Sequence, residues 1–239
     1  MSALAVVNAE RIKLFSTRSL LWSAVAIAVL SLGLAAVQAS TAYGPGGVAP
    51  QRAAMGVAVF GVPVMMILSA LSVTNEYRNG LIRTTFAAVP NRTLVLVAKA
   101  VVAAVVSGAY AAVMVMASIV VAHSDPRNWR LVAAIALYAA LAAVLGVAVG
   151  ALVRASAGAV ALLLLWPLVA EPLLGNMPNI SGKIGPYLPF ANAFTFIDVQ
   201  WLYPYYAMPW GPIGSIVYFT FVVAAVFVGA LVTINRRDA

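Results

Sequence analysis

Cysteine is absent from this chain of 239 residues. That removes a disulfide scaffold, Cys-ligated zinc and a thiol nucleophile. Histidine occurs once, at His123, so a His-based metal site is not expected. Charge is scarce too: Asp, Glu, Lys and Arg make up 8% of the residues, against roughly a quarter in ordinary globular domains. The apolar runs hold almost none of the clustered polar groups that an intramembrane protease or lipid transferase needs. Only Glu171 and Asp198 lie near one face. No internal repeat is visible, which argues against the inverted-repeat secondary transporters.

What is abundant is apolar surface. Hydrophobic residues are 64% of the chain and the mean hydropathy is +1.02. A soluble core of this size cannot hide that much, so the class is integral membrane protein. A spanning helix needs about twenty apolar residues. Six runs qualify: 19–39, 53–73, 94–122, 131–153, 155–174 and 212–234. They are continuous rather than alternating, so the expected fold is all-α, with six transmembrane helices in one domain over 1–239.

With the N-terminus inside, Arg11, Lys13, Arg18, Arg78, Arg83, Arg92, Lys99, Arg154, Arg236 and Arg237 lie inside. Arg52, Arg127, Arg130 and Lys183 lie outside. Ten of the 14 basic residues are then cytoplasmic, and the positive-inside rule places both termini there. This placement accounts for the net charge of +8 as topology, not as a nucleic-acid surface. Ahead of the first run, Leu4, Val7, Ile12, Leu14 and Phe15 fall on one helical arc, with Glu10 and Lys13 opposite. That pattern predicts a helix lying in the membrane interface, with Arg11 and Arg18 snorkelling.

Between the second and third runs lies a basic island, Glu76-Tyr77-Arg78-Asn79-Gly80-Leu81-Ile82-Arg83, followed by Pro90-Asn91-Arg92 and Lys99. The cytoplasmic loop 74–93 is expected to form a short helix ended by Pro90, with Glu76, Gly80, Arg83 and Ala87 on one face. A loop that only holds orientation would explain its arginines but not Glu76, Tyr77 or Gly80.

This stretch resembles the loop after the second span of ABC-2-type permeases, where the pattern runs Glu, basic, Gly, Thr, then Pro-x-Arg and Lys. The chain matches at Glu76, Arg78, Gly80, Arg83, Pro90, Arg92 and Lys99 and departs at Leu81, where the family often has Thr. The opening Glu10-Arg11-x-Lys13, Arg18 and Trp22 is similar to that family's interfacial helix and first span. The likeness covers the whole chain in layout and two segments in residues. It implies a coupling helix, with Glu76, Tyr77, Arg78, Gly80 and Arg83 docking on a separate ATP-binding subunit. It also implies two such subunits, a second permease chain that is identical or homologous, and a bacterial cytoplasmic (inner) membrane location. The cargo would be amphipathic or hydrophobic: a drug, antibiotic, lipid or lipid-linked sugar.

The chain is expected to bind no cofactor itself, with ATP and Mg²⁺ held by the partner. Gly175 to Gly182-Lys183 is not a phosphate loop, because six residues separate the glycines and Ile184 follows the lysine. Phe60, Met65, Met66 and Trp166 are candidates for a substrate path. Pro63 and Pro167 mark expected kinks, and Gly146 and Gly150 a close-packing GxxxG.

The outer loop 175–211 is apolar and aromatic, and a helix is expected to start at Pro189. Phe190, Phe194, Ile197 and Trp201 would share its face. The resemblance implies short re-entrant helices here, with Glu171, Phe190, Phe194 and Trp201 as an outer gate. Tyr203, Tyr205, Tyr206 and Trp210 fit an interfacial aromatic belt. Glu171 is either a buried functional carboxylate or one paired at the headgroups with Lys183 or Arg52. The rival to a transport subunit is a non-transporting assembly or sensor subunit.

Overall fold

The structure is a computed structural model that describes residues 2–42, 47–125, 127–199, 203, 206 and 208–236. Among these the chain is helical, with no strand. A peripheral helix α1 (Ala3–Phe15) precedes the first long helix α2 (Arg18–Ser40). The second long helix, α3, covers Pro50–Arg78. A short helix α4 (Leu81–Ala88) leads to α5 (Arg92–Val121) and α6 (Trp129–Val153). The fifth long helix, α7, covers Ser156–Asn176. Two short helices, α8 (Ser181–Ile184) and α9 (Pro189–Ile197), come before α10 (Gly211–Arg236). Six helices are long and apolar enough to cross a membrane, as the hydrophobic runs predict.

The boundaries have local causes. The Ser2 hydroxyl accepts from the Ala5 N–H at 3.3 Å and starts α1. Asn91 caps α5 by accepting from Leu94 N–H at 3.0 Å, and Asn128 caps α6 by accepting from Leu131 N–H at 3.1 Å. Arg154 ends α6 in the left-handed region, at φ 58°. Each of the two expected proline kinks coincides with a wide turn. Residues Val57–Gly61 and Trp166–Ala170 adopt π-helical register, beside Pro63 and around Pro167. A proline cannot donate to the ladder, and the wider turn redistributes the freed carbonyls.

Helices α3 and α6 form the centre; 67% of each apolar window is buried, against 17% for α2 and 22% for both α7 and α10. The glycines of the GxxxG bring these two backbones together. A Cβ at Gly146 would lie 2.1 Å from the Met66 carbonyl oxygen, and one at Gly150 would lie 2.7 Å from that of Ala70. A Cβ at Gly33 on α2 meets nothing within 4 Å.

Gly146→Ala is therefore expected to cost about 1–3 kcal/mol through overpacking, whereas Gly33→Ala should be neutral or slightly stabilising. Thermal unfolding of the two detergent-solubilised variants checks this. Equal melting temperatures would remove the close-contact role of Gly146.

Candidate functional site

The basic end of the bundle is organised by four charged side chains. Glu10 comes from α1, Glu76 from the last turns of α3, Lys99 from α5, and Lys13 from the end of α1. Lys99 Nζ donates to Glu10 Oε2 at 2.5 Å and to Glu76 Oε1 at 3.0 Å. Lys13 Nζ donates to Glu10 Oε1 at 2.8 Å and to Glu76 Oε1 at 3.1 Å. Thr85 on α4 adds a longer contact to Lys13 at 3.4 Å. Glu10, Glu76 and Lys99 are buried, while Lys13 is half-exposed.

This arrangement directs the polar side of α1 inward and leaves much of its apolar arc exposed, as a helix lying in a membrane interface requires. Glu10 points into the bundle, and Leu4, Ile12 and Phe15 are exposed. The cause is electrostatic: the polar side of α1 finds Lys99 and Glu76, and its apolar arc is left outward. Arg11 is exposed. Burial alone would raise the Glu10 pKa, but the Lys99 charge and the hydrogen bonds from Lys13 and Lys99 outweigh it, so the pKa is lowered. Burial likewise works against the Lys13 ammonium, yet Glu10 and Glu76 raise its pKa.

The expected coupling helix is also rearranged. Helix α3 runs on to Arg78, and Gly80 breaks the chain at φ 69° before α4 starts. Glu76, Gly80 and Arg83 therefore do not share a helical face. Glu76 is an internal anchor, because its neighbours Thr74 and Val73 are buried and Lys99 supplies its counter-charge. Arg78, Gly80 and Arg83 are exposed. On α4, Ile82 and Phe86 are buried, while Leu81, Arg83, Thr84 and Ala87 face outward. The Arg92 guanidinium lies 5.2 Å over the Phe86 ring and donates to the Ile234 carbonyl at 3.1 Å, tying α4 to α5 and α10. Tyr77 is half-buried under Arg154, at 4.9 Å, which joins α3 to the end of α6.

No known family model matches the chain, and no curated protein matches it. The case for a site therefore rests on the geometry.

The opposite, aromatic end is built around Glu171, which is fully buried on α7. Its carboxylate accepts from the Phe190 N–H at 2.9 Å, the Ala191 N–H at 3.2 Å and the Trp166 indole N–H at 2.8 Å. It thus caps α9, whose own preceding residue, Leu188, has no capping side chain. Neither Lys183 nor Arg52 is its ion-pair partner among the described residues. Phe190, Phe194 and Ile197 are buried as one face. Phe194 packs edge-on to Tyr138 at 5.9 Å and Phe190 to Phe219 at 5.5 Å. Trp201 and Tyr205 lie outside the described residues. Tyr203, Tyr206 and Trp210 bond inward, to the Pro167 carbonyl, the Gly175 carbonyl and Asn192 Oδ1. These bonds fasten the segment to the bundle.

The four expected path residues do not share one surface. Phe60 is partly exposed, Met66 is buried against α6, and Trp166 holds Glu171. Of the four, Met65 lines the cavity described below, whereas Met66 lies against Gly146 of α6. Sequence reasoning assigned no site role to Lys99, although a lysine two turns inside a 30-residue apolar helix is itself a signal. Asn192, which donates to the Pro186 and Leu188 carbonyls at 2.8 and 2.9 Å, carried no comparable signal.

Two outcomes follow from these geometries. The contribution of Glu10 to stability is complete above its ordinary pKa of 4.5 and falls as pH drops through its lowered folded value. That of Lys13 is complete below 10.5 and falls as pH rises beyond it. A melting-temperature profile against pH should therefore fall at both extremes, and Glu10→Gln should flatten its acid limb. An unchanged acid limb would dismiss the cluster as the source. At the other end, Glu171→Ala should cost about 1–3 kcal/mol by leaving buried N–H groups unpaired. Hydrogen exchange at Phe190 and Ala191 should accelerate in that variant, and unchanged protection there would refute the capping role.

Proposed function

We propose that this chain is the membrane-spanning subunit of an ATP-driven transporter of the ABC-2 type, exporting an amphipathic or hydrophobic compound. Two permease chains would pair with two ATPase subunits in a bacterial cytoplasmic membrane, with both termini in the cytoplasm. ATP and Mg²⁺ would be bound by the ATPase, and this chain would carry out no chemistry of its own.

One observation supports this reading above the rest. Helix α4 presents Arg83, Thr84 and Ala87 outward at the basic end, beside exposed Arg78, while Ile82 and Phe86 hold it to the bundle. A short helix seated this way is a surface for a soluble partner. The charges beneath it join α1, α3 and α5, so a push on α4 has a stiff joint to act on. Glu76 belongs to that joint and not to the docking face. The outward apolar surfaces of α2, α7 and α10 suit lipid and a second permease chain.

Affinity purification of the tagged chain from its native membrane in mild detergent tests the proposal. A stoichiometric ATPase should co-purify and be lost in the Arg78→Glu/Arg83→Glu double variant, with the variant still inserted in the membrane. Reproducible isolation of the unmodified chain without any ATPase would overturn it.

A further inference from the structure

A cavity of about 640 Å³ lies between α1, α2, α3, α4 and α5. That is within the roughly 300–1,000 Å³ typical of sites for small organic ligands. Its two ends differ in chemistry. Near the basic end the walls carry Ser16, Thr17, Ser72, Asn75, Asn79 and Thr85. Further in they are lined mainly by Leu20, Ile27, Met65, Leu68, Val102 and Val106, with Ser69 and Ser107 as isolated hydroxyls. Tyr110 crosses the inner part and donates to the Ala24 carbonyl of α2 at 2.6 Å. The charged residues in the lining are Glu10, Lys13, Glu76 and Lys99, which form one ion-pair cluster.

We infer that this cavity holds one amphiphile with an uncharged, hydroxyl-bearing head and a single alkyl chain along α3 and α5. The polarity gradient sets the orientation, with the head among the hydroxyl and amide groups and the chain toward Met65 and Val106. Charge balance sets the class of head. The two carboxylates and two ammonium groups of the wall sum to zero charge and pair with each other, leaving Glu76 Oε2 as a buried acceptor that a hydroxyl can satisfy, so an ionic head would bring in a net charge. Burying such a charge is far costlier than burying hydroxyls that find hydrogen-bond partners. A glycerol and a sugar head share this chemistry. The inference concerns binding by the chain alone and stands or falls separately from the ATPase-coupled reading.

Native mass spectrometry of the full chain, released from a short polyoxyethylene detergent, provides the test. The probes are mono-oleoylglycerol, dodecyl glucoside, oleate and oleylamine. One saturable adduct is expected with the glycerol or the glucoside probe, and whichever binds names the head. Its affinity should exceed that of both charged probes by about tenfold, a difference well resolved on the affinity scale. Val106→Trp on α5 and Leu68→Trp on α3, which fill the cavity from two of its helices, should each abolish the adduct. Stronger or equal binding of oleate or oleylamine would overturn the inference. So would an adduct that survives both filling variants, or the absence of any adduct with the two neutral probes.

Discussion

The charge-balanced cluster of Glu10, Lys13, Glu76 and Lys99 fixes the basic end of the molecule. Removing charges from water is expensive, and a buried pair recovers the cost only when its geometry and hydrogen bonding are good. Here each lysine bridges the same two glutamates, and three helices must be in place at once for that to occur. The cluster sets the rotation of α1 and leaves its apolar arc outward. It draws α3 inward as far as Glu76, so the chain must turn within the next few residues. Gly80 supplies that turn in a backbone region most residues avoid. Helix α4 thus starts directly after the segment that the ion pairs anchor.

The aromatic end meets a different constraint with a single carboxylate. A helix that starts inside an apolar bundle leaves N–H groups without water to bond. Glu171 of α7 satisfies those of α9, and tyrosine and tryptophan side chains anchor the surrounding turns through backbone carbonyls. Both ends therefore rely on acidic residues, which are rare in this chain, numbering 6 with aspartates included. At one end the counterpart is lysine; at the other it is backbone.

Much of the architecture was legible from hydropathy. The six runs, the break near Pro90 and the helix beginning at Pro189 all depend on local chemistry, and each appears within a few residues of its expected place. The GxxxG and the two prolines were readable for the same reason. What was not legible depends on which side chains meet across helices. Periodicity placed Glu10 and Lys13 opposite an apolar arc but could not show which side faces the bundle, because Lys99 is distant in sequence. Glu76 looked like part of an exposed surface patch because it adjoins Arg78, yet two residues along a helix point to opposite sides, and Arg83 lies beyond the Gly80 break. Glu171 presented two plausible partners by charge, whereas its real partners are main-chain groups that no charge pattern records.

The contact of α3 with α6 has a mechanical consequence. At Gly146 and Gly150 backbone meets backbone, with no layer of side chains between the helices that might change rotamer and let one slip past the other. Close-packed backbone of this kind resists sliding. The pair is the keel of the bundle, and α2, α7 and α10 lie around it with most of their apolar windows unburied.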